Sequence, residues 1–300
     1  MARLKKIFRI FLYLSIGFII YYLYSFDYLK LSDIRLNLYL VGLSVFVLWS
    51  GFVMSALSWR NSLKVHQIAI GNRLALYSHG IAVFAKYIPG KIWVILGRAS
   101  VVSEVKGSLS LLSAISLKEQ LVYLLTGLII SFLALIWLPV NYLITGFVAL
   151  TGLMLALFLF SKKIHEWMLS LVVLFTKRKP DIPFVTLKEA LPMVKTILSY
   201  WFLWSLGFYL LTLSLIPSAP IWVAFAFPIS VCYGLLAVIV PGGIGVRESI
   251  IVFFLTATGM DSSVAITISL IQRLWFITGE IFIFGLALII KRTKNRYHEN

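Results

Sequence analysis

Apolar runs separated by short polar or basic segments make up almost the whole chain. Runs near twenty residues are long enough to cross about 30 Å of hydrocarbon as helices. The pattern predicts such helices over the following ranges: 10–24, 36–58, 109–138, 142–160, 197–216, 221–240 and 264–290. A shorter amphipathic run at 164–175 is expected to lie in the membrane interface. The pattern therefore predicts an all-α, polytopic helical membrane protein, with residues 1–300 forming a single integral membrane domain.

The composition supports a membrane protein and argues against disulfide bonds and metal sites. The chain is 61% hydrophobic and only 13% charged, which is more apolar sequence than a soluble core of 300 residues needs. The single cysteine, Cys232, lies inside an apolar run, so no disulfide can form within the chain. No Cys/His metal spacing occurs, and we expect neither a metal nor a cofactor.

The net charge of +16 indicates membrane topology. In a soluble protein it would suggest nucleic acid, but here the basic residues flank the apolar runs, where they hold loops in the cytoplasm and contact anionic lipid headgroups. We expect no nucleic-acid partner, and we place both termini in the cytoplasm of a prokaryotic plasma or inner membrane. The basic clusters are Arg3, Lys5, Lys6 and Arg9; Arg60, Lys64 and Arg73; Lys177, Arg178 and Lys179; and Lys291, Arg292, Lys294 and Arg296.

One segment between the second and third predicted spans is broken in its middle. Two short apolar runs, 74–85 and 94–102, flank Pro89 and Gly90, and a lysine follows at Lys91. Proline and glycine together end a helix, and each remaining half is too short to span a bilayer at 1.5 Å per residue. The segment is therefore predicted to be a re-entrant hairpin that enters from the cytoplasm and returns there.

A second break follows the apolar run 221–240. Pro241 ends the incoming helix, and three glycines, Gly242, Gly243 and Gly245, let the backbone bend and pack closely. Arg247 and Glu248 then lie at the start of the next helix, whose apolar run is predicted at 249–257. A broken helix at membrane depth is tolerated only where protein buries it or a wet cavity bathes it. The alternative is a tight loop at the membrane surface.

The two breaks share a pattern. Residues 87–92 and 239–244 both read apolar-apolar-Pro-Gly-x-Ile, and an arginine follows each, at Arg98 and Arg247. The first hairpin is predicted to enter from inside and the second from outside, which suggests an inverted repeat with a site between its halves. Chance similarity over six residues is the alternative explanation.

Ionisable residues inside predicted helices are costly to bury, so their default interpretation is functional. Positive charge exceeds negative charge among them, and an arginine fork suits an anionic headgroup, phosphate above all. Arg273 and Glu280 lie on one face of the last helix but too far apart to pair, and Glu119 is a candidate partner for Arg273. The alternatives are internal ion pairing and, for the lysines, snorkelling to the surface. The candidate substrate-binding residues are Lys86, Lys91, Arg98, Glu119, Arg247, Glu248, Arg273 and Glu280.

These residues resemble a known family. The string KYIPGKIW followed by Arg98, a helix with Glu119, the string PGGIGVRE, and a last helix with QRLW and Glu280 are similar to the lysylphosphatidylglycerol synthase transmembrane family, also called the flippase-like domain. The resemblance covers nearly the whole chain and implies lipid translocation in cell-envelope biogenesis. The cytosolic aminoacyl-transferase domain of bifunctional members has no counterpart in this sequence, so we expect no lysyl-lipid synthesis. The resemblance does not identify the lipid substrate.

The first hypothesis is a flippase that moves an anionic phospholipid or a polyprenyl-phosphate-linked lipid. Two other classes of function are alternatives to it. A membrane-embedded glycosyltransferase or lipid-modifying enzyme could place a catalytic acid in the first outer loop, where Asp27 and Asp33 lie. That loop is short, and no G-x-S-x-G or H-E-x-x-H string occurs, so we assign no catalytic residue. The chain could instead be a structural partner in an envelope complex or a homo-oligomer.

Overall fold

Helices form the described part of the chain. The computed structural model describes residues 36–88, 92–138, 141–176, 184–237 and 240–296. Within these ranges there are ten α-helices and no strand. Short 3₁₀ turns lie at Val83–Tyr87, Ile221–Phe225 and Pro241–Gly243. The α-helices are α1, Leu38–Val65; α2, Asn72–Ala82; α3, Ile92–Ser103; α4, Leu109–Ile136; α5, Tyr142–Phe160; α6, Lys162–Thr176; α7, Leu187–Leu215; α8, Ala226–Leu236; α9, Val246–Ala257; and α10, Ser262–Arg296.

Five of these helices, α1, α4, α5, α7 and α10, have the length and apolar composition of membrane-spanning helices. The all-α fold class with the features of a polytopic membrane protein is therefore confirmed. The bounds predicted for α5 agree with the structure, and those for α4 differ by two residues at its end. The predicted first span, at 10–24, lies outside the described residues.

Helices α1, α7 and α10 are longer than the apolar pattern predicts, and α10 ends at Arg296 instead of residue 290. Helix α7 begins well before the predicted start at residue 197, and Pro192 lies inside it rather than in a loop. A capping box explains the early start: the Glu189 N–H donates to Thr186 Oγ1 at 3.3 Å, and the Thr186 N–H donates to Glu189 Oε2 at 2.8 Å. Pro192 removes one backbone hydrogen bond near this stabilised end. Helix α1 likewise continues past the predicted end at residue 58 to Val65.

Polar contacts define the two ends of the bundle. At one end, Glu189 Oε1 lies 2.7 Å from Lys118 Nζ on α4 and 3.0 Å from Nε2 of His66, the residue after α1. We call this end the basic end, because Arg60, Lys64, Arg73 and Lys106 also belong to the segments that meet there. At the opposite end, the Asn37 N–H donates to the Ser214 carbonyl oxygen at 3.0 Å. Helices α1 and α7 are therefore antiparallel neighbours.

Two hairpins of short helices enter the bundle from opposite ends. The first follows α1 at the basic end: α2 runs inward, and α3 returns to α4, where Lys106 Nζ donates to the Ala69 carbonyl oxygen at 3.3 Å. The second follows α7 at the opposite end: α8 runs inward, and α9 returns to α10. Both returning helices have 12 residues, about 18 Å, which is shorter than the hydrocarbon layer. These opposite directions agree with the inverted-repeat hypothesis.

Candidate functional site

A cavity of about 920 Å³ opens between the two hairpins and α4. Its wall on α4 lies between Leu109 and Leu124, which is the half of that helix nearest the basic end. On α1 the lining residues are Phe52 and Ser55, also in the half of the helix toward the basic end. The cavity therefore reaches from near the basic end to about the middle of the bundle. Most of its lining side chains are apolar or aromatic.

Aromatic rings fill the middle of the bundle around the deep end of the cavity. The rings of Tyr123 and Trp201 stack with their centroids 4.6 Å apart. Trp204 lies edge-on to Phe276 at 5.6 Å, and Phe227 lies 5.5 Å from Phe276. Each aromatic pair of this kind contributes about 0.5–1.5 kcal/mol beyond its buried area. Tyr123, Trp204 and Phe276 of this aromatic cluster line the cavity.

The second break packs against the segment that precedes the first. Gly242 has φ +60°, and a Cβ built there would lie 2.6 Å from the Tyr87 ring. Gly243 has φ +68°, and its Cβ would lie 2.9 Å from the Gly234 backbone. Both positions therefore require glycine for backbone conformation and for close approach. The contact between Tyr87 and Gly242 thus brings the segment before the first break against the second break, while Pro89, Gly90 and Lys91 lie outside the described residues.

Arg98 and Glu119 form a buried ion pair in the cavity wall. Arg98 Nη1 lies 2.6 Å from Glu119 Oε2, and both side chains are 5% exposed. Arg98 also donates from Nε to Ser116 Oγ at 2.6 Å and from Nη2 to the Ser116 carbonyl oxygen at 2.8 Å. Its guanidinium packs over the Trp59 ring at 4.4 Å. Every nitrogen of this guanidinium therefore has a protein partner.

Two further ion pairs connect α10 to the breaks. Lys86 Nζ pairs with Glu280 Oε1, and the Tyr87 hydroxyl donates to Glu280 Oε2 at 2.8 Å. Arg273 Nη1 lies 3.6 Å from Glu248 Oε1 and 3.4 Å from the Gly242 carbonyl oxygen. Arg273 and Glu280 therefore have separate partners, as the sequence predicts. Glu119, the expected partner of Arg273, pairs with Arg98.

Glu248 has a second role at the start of α9. Its Oε2 accepts the Gly245 N–H at 2.7 Å, and Gly245 has φ +81°. A carboxylate in the first turn satisfies a free backbone donor and interacts favourably with the helix dipole. The residue thus fixes where α9 begins, and it thereby sets the position of the neighbouring Arg247.

Arg247 differs from the other buried cations. It is 5% exposed, lines the cavity, and lies over the Phe276 ring at 4.8 Å and the Phe227 ring at 5.7 Å. Its Nε and Nη2 are buried without a hydrogen-bond partner. Among the residues that the structure describes, no carboxylate forms an ion pair with it. Burying a guanidinium without an ion-pair partner is costly, which distinguishes Arg247 from the paired cations around it.

The structure divides the predicted site residues into two groups. Lys86, Arg98, Glu119 and Arg247 line the cavity, which makes three cations against one carboxylate, and Gly242 lines it beside them. Glu248, Arg273 and Glu280 support the wall through the pairs described above. Lys91 is outside the described residues, and the backbone of Pro241 lies in the 3₁₀ turn at the second break.

Sequence reasoning missed the aromatic partners of Arg247. Phe276 and Phe227 flank its guanidinium, and Trp204 joins both rings. One indication was present for Phe276, because it lies between Arg273 and Glu280 on the same face of α10. No such pattern marks Phe227, which reaches the site only through the packing of α8.

Comparison with known proteins adds no assignment. The chain matches no family model, no curated protein and no solved structure. Within the described ranges, no group of three or more His, Cys, Asp or Glu side chains could hold a metal ion.

Proposed function

We propose that the protein moves a lipid with an anionic headgroup between the two leaflets of a membrane. The observation that carries this proposal is Arg247: this buried cation lies in the wall of a largely apolar cavity and forms no ion pair with a carboxylate of the described residues. A phosphate can accept two parallel hydrogen bonds from one guanidinium, and such charge-assisted bonds are about twice as strong as neutral ones. The phosphate of an anionic phospholipid or of a polyprenyl-phosphate-linked lipid has this chemistry.

The neighbouring charges favour a single anionic group at this point. Arg98 and Lys86 already have carboxylate partners, so they hold the wall together and their charges are balanced within it. Arg247 is left to contact the ligand directly. The aromatic faces of Phe227 and Phe276 keep its guanidinium in place without neutralising it.

We further propose that the chain belongs to the lysylphosphatidylglycerol synthase transmembrane family. The strings around the two breaks and the QRLW string of α10 support this assignment. The cell membrane of a prokaryote, with both termini in the cytoplasm, is the location that the basic clusters favour.

A liposome assay tests the proposed activity. Purified protein should be reconstituted into vesicles that contain fluorescent phosphatidylglycerol, and the fraction of probe open to a membrane-impermeant quencher should be followed over time. We expect leaflet exchange to be faster than in protein-free vesicles, because the cavity gives the headgroup a polar site inside the bilayer. Exchange at the protein-free rate by well-folded protein, with every anionic probe, would contradict a flippase.

A topology assay tests the orientation. A reporter fused after Asn300 should give a cytoplasmic signal, because basic residues at 291–296 flank the last span. A reporter inserted between Asp27 and Asp33 should give the opposite signal. Both signals from the same side would overturn the proposed orientation.

A membrane enzyme of envelope biogenesis is the second candidate, but no observation on the described residues favours it. Its candidate acids, Asp27 and Asp33, lie outside the described ranges. The same reconstituted protein should be offered a polyprenyl-phosphate sugar donor. Turnover of that donor without lipid exchange would replace the transporter proposal.

A further inference from the structure

The two broken hairpins leave part of α4 uncovered. Helix α4 has 28 residues, about 42 Å, whereas its neighbours α3 and α8 have 12 and 11 residues. Helix α3 covers α4 from the basic end, and α8 covers it from the opposite end. Because both short helices stop at a break, neither covers the α4 face between them. Leu117 and Leu121 of this face line the cavity and are only partly buried.

The exposed rim of the cavity has two parts: Ser110, near the start of α4, lies toward the basic end, and the other part lies at these two helix ends. Ile92, the first residue of α3, lines the cavity and is 51% exposed. Leu236, the last residue of α8, lines the cavity and is 39% exposed. The part of the rim between these two residues is therefore apolar and faces the side of the bundle. We call the gap between Ile92 and Leu236, across Leu117 and Leu121, the lateral slot.

Polarity changes from the rim to the back of the cavity. The side chains of Arg247, Arg98 and Glu119 are almost fully buried, whereas the slot residues are aliphatic. A soluble anion would need a polar, hydrated path to Arg247, since dehydrating a charge along apolar walls is costly. An amphiphile needs the opposite arrangement, with hydrocarbon at the rim and charge at the back.

We propose that the hydrocarbon chains of the substrate leave the cavity through the lateral slot and stay in the bilayer while the headgroup is held at Arg247. This inference rests on the proposed function and makes it more specific: the ligand is a membrane-anchored amphiphile, not a soluble anion. The slot is occupied by acyl or isoprenoid chains because it joins the apolar exterior of a membrane-spanning bundle directly to the headgroup site.

Blocking the slot tests the proposal. Ile92→Trp and Leu236→Trp add bulk at its two edges, and Ile281→Trp and Leu198→Trp are matched controls. The control residues have similar exposure, 58% and 44%, but lie on α10 and α7 outside the cavity lining. We expect each slot variant to slow leaflet exchange of two-chain fluorescent phosphatidylglycerol by about tenfold or more, and the controls to match wild type.

Further measurements show whether the headgroup site or the lateral slot is wrong. If Arg247→Gln stops exchange while both slot variants exchange lipid at the wild-type rate, the headgroup site stands and the slot is wrong. If Arg247→Gln exchanges lipid normally, the proposed headgroup site itself fails. Uptake of radiolabelled glycerol 3-phosphate above the protein-free rate, and at the same rate by wild type and by Leu236→Trp, would show a path for soluble anions and overturn the slot.

A spectroscopic measurement does not depend on how the tryptophan variants fold. In a Cys232→Ser background, Ile92→Cys and Leu236→Cys should each carry a nitroxide spin label in reconstituted protein. We expect both labels to collide more often with oxygen, which partitions into lipid, than with a water-soluble nickel chelate. Preferential collision with the nickel chelate at both positions would show that the rim faces water, and it would overturn the lateral slot.

Discussion

Arg247→Gln should lower lipid exchange by about 10²–10³-fold, to near the rate of protein-free vesicles. Removing one partner of a desolvated, hydrogen-bonded charge pair costs about 2–5 kcal/mol, and each 1.4 kcal/mol is about tenfold. The exchange rate of Arg247→Lys should fall between those of wild type and Arg247→Gln, because lysine keeps the charge and loses the planar fork of donors. The measurement is the leaflet-exchange rate at equal amounts of reconstituted protein.

The stability of Arg247→Gln distinguishes a ligand contact from a structural one. Arg247 has no ion pair to lose among the described residues, and its Nε and Nη2 lack hydrogen-bond partners. The free energy of unfolding in detergent should therefore equal or exceed that of wild type. A loss of several kcal/mol together with the loss of exchange would indicate that Arg247 stabilises the fold instead.

Gly234→Ala should reproduce the transport defect without touching the charge. A Cβ at this position would lie 2.3 Å from Arg247 Cγ, so the arginine side chain must move away from its place in the cavity wall. A small displacement of a positioning group can cost about 10²-fold in rate. Gly146→Ala is the matched control, because nothing lies within 4 Å of a Cβ built there. Equal exchange by both alanine variants would argue against a precise position for Arg247.

Glu119→Gln should have the largest effect on stability. It leaves the Arg98 guanidinium charged and buried without its counter-ion, and breaking one side of a buried pair costs about 3–5 kcal/mol. The double variant Arg98→Met with Glu119→Leu should recover most of this loss, since two apolar residues of similar volume leave no uncompensated charge. Chemical unfolding in detergent provides the measurement, and the full double-mutant cycle isolates the coupling between the two side chains.

An exposed pair is the control for this cycle. Lys162 and Glu166 lie four residues apart on α6, with Nζ and Oε1 separated by 3.9 Å, and both side chains are mostly solvent-exposed. Glu166→Gln should change stability by less than about 0.5 kcal/mol. The Arg98–Glu119 double variant should also keep lipid exchange, because it leaves the net charge of the cavity and the Arg247 site unchanged. Loss of exchange in a stable double variant would assign a ligand role to this pair.

The long apolar helices and the places where helices break could be predicted from the sequence, but the run 221–240, predicted to span, forms only a 3₁₀ turn and the short helix α8. Apolar length determines which helices are long enough to span, and it located α4, α5 and α10 to within a few residues. Proline and glycine act locally, through a missing N–H and a permissive φ, so both breaks were visible without any tertiary information. The start of α7 was missed because its first turns are polar and are stabilised by the Thr186–Glu189 capping box rather than by hydrophobic burial.

The sequence alone also identified the buried charges, because an ionisable residue in an apolar helix is conspicuous wherever the helix packs. Only the tertiary structure decided what each charge does. Arg98, Lys86 and Arg273 have carboxylate partners far away in the chain or across a break, and pairing at such distances depends on how the helices pack. In the sequence, Arg247 is a charged residue beside an apolar run, as these residues are. Of these four, it alone forms no ion pair with a carboxylate in the part of the chain that the structure describes, since α9 places its guanidinium against the Phe227 and Phe276 rings in the cavity wall.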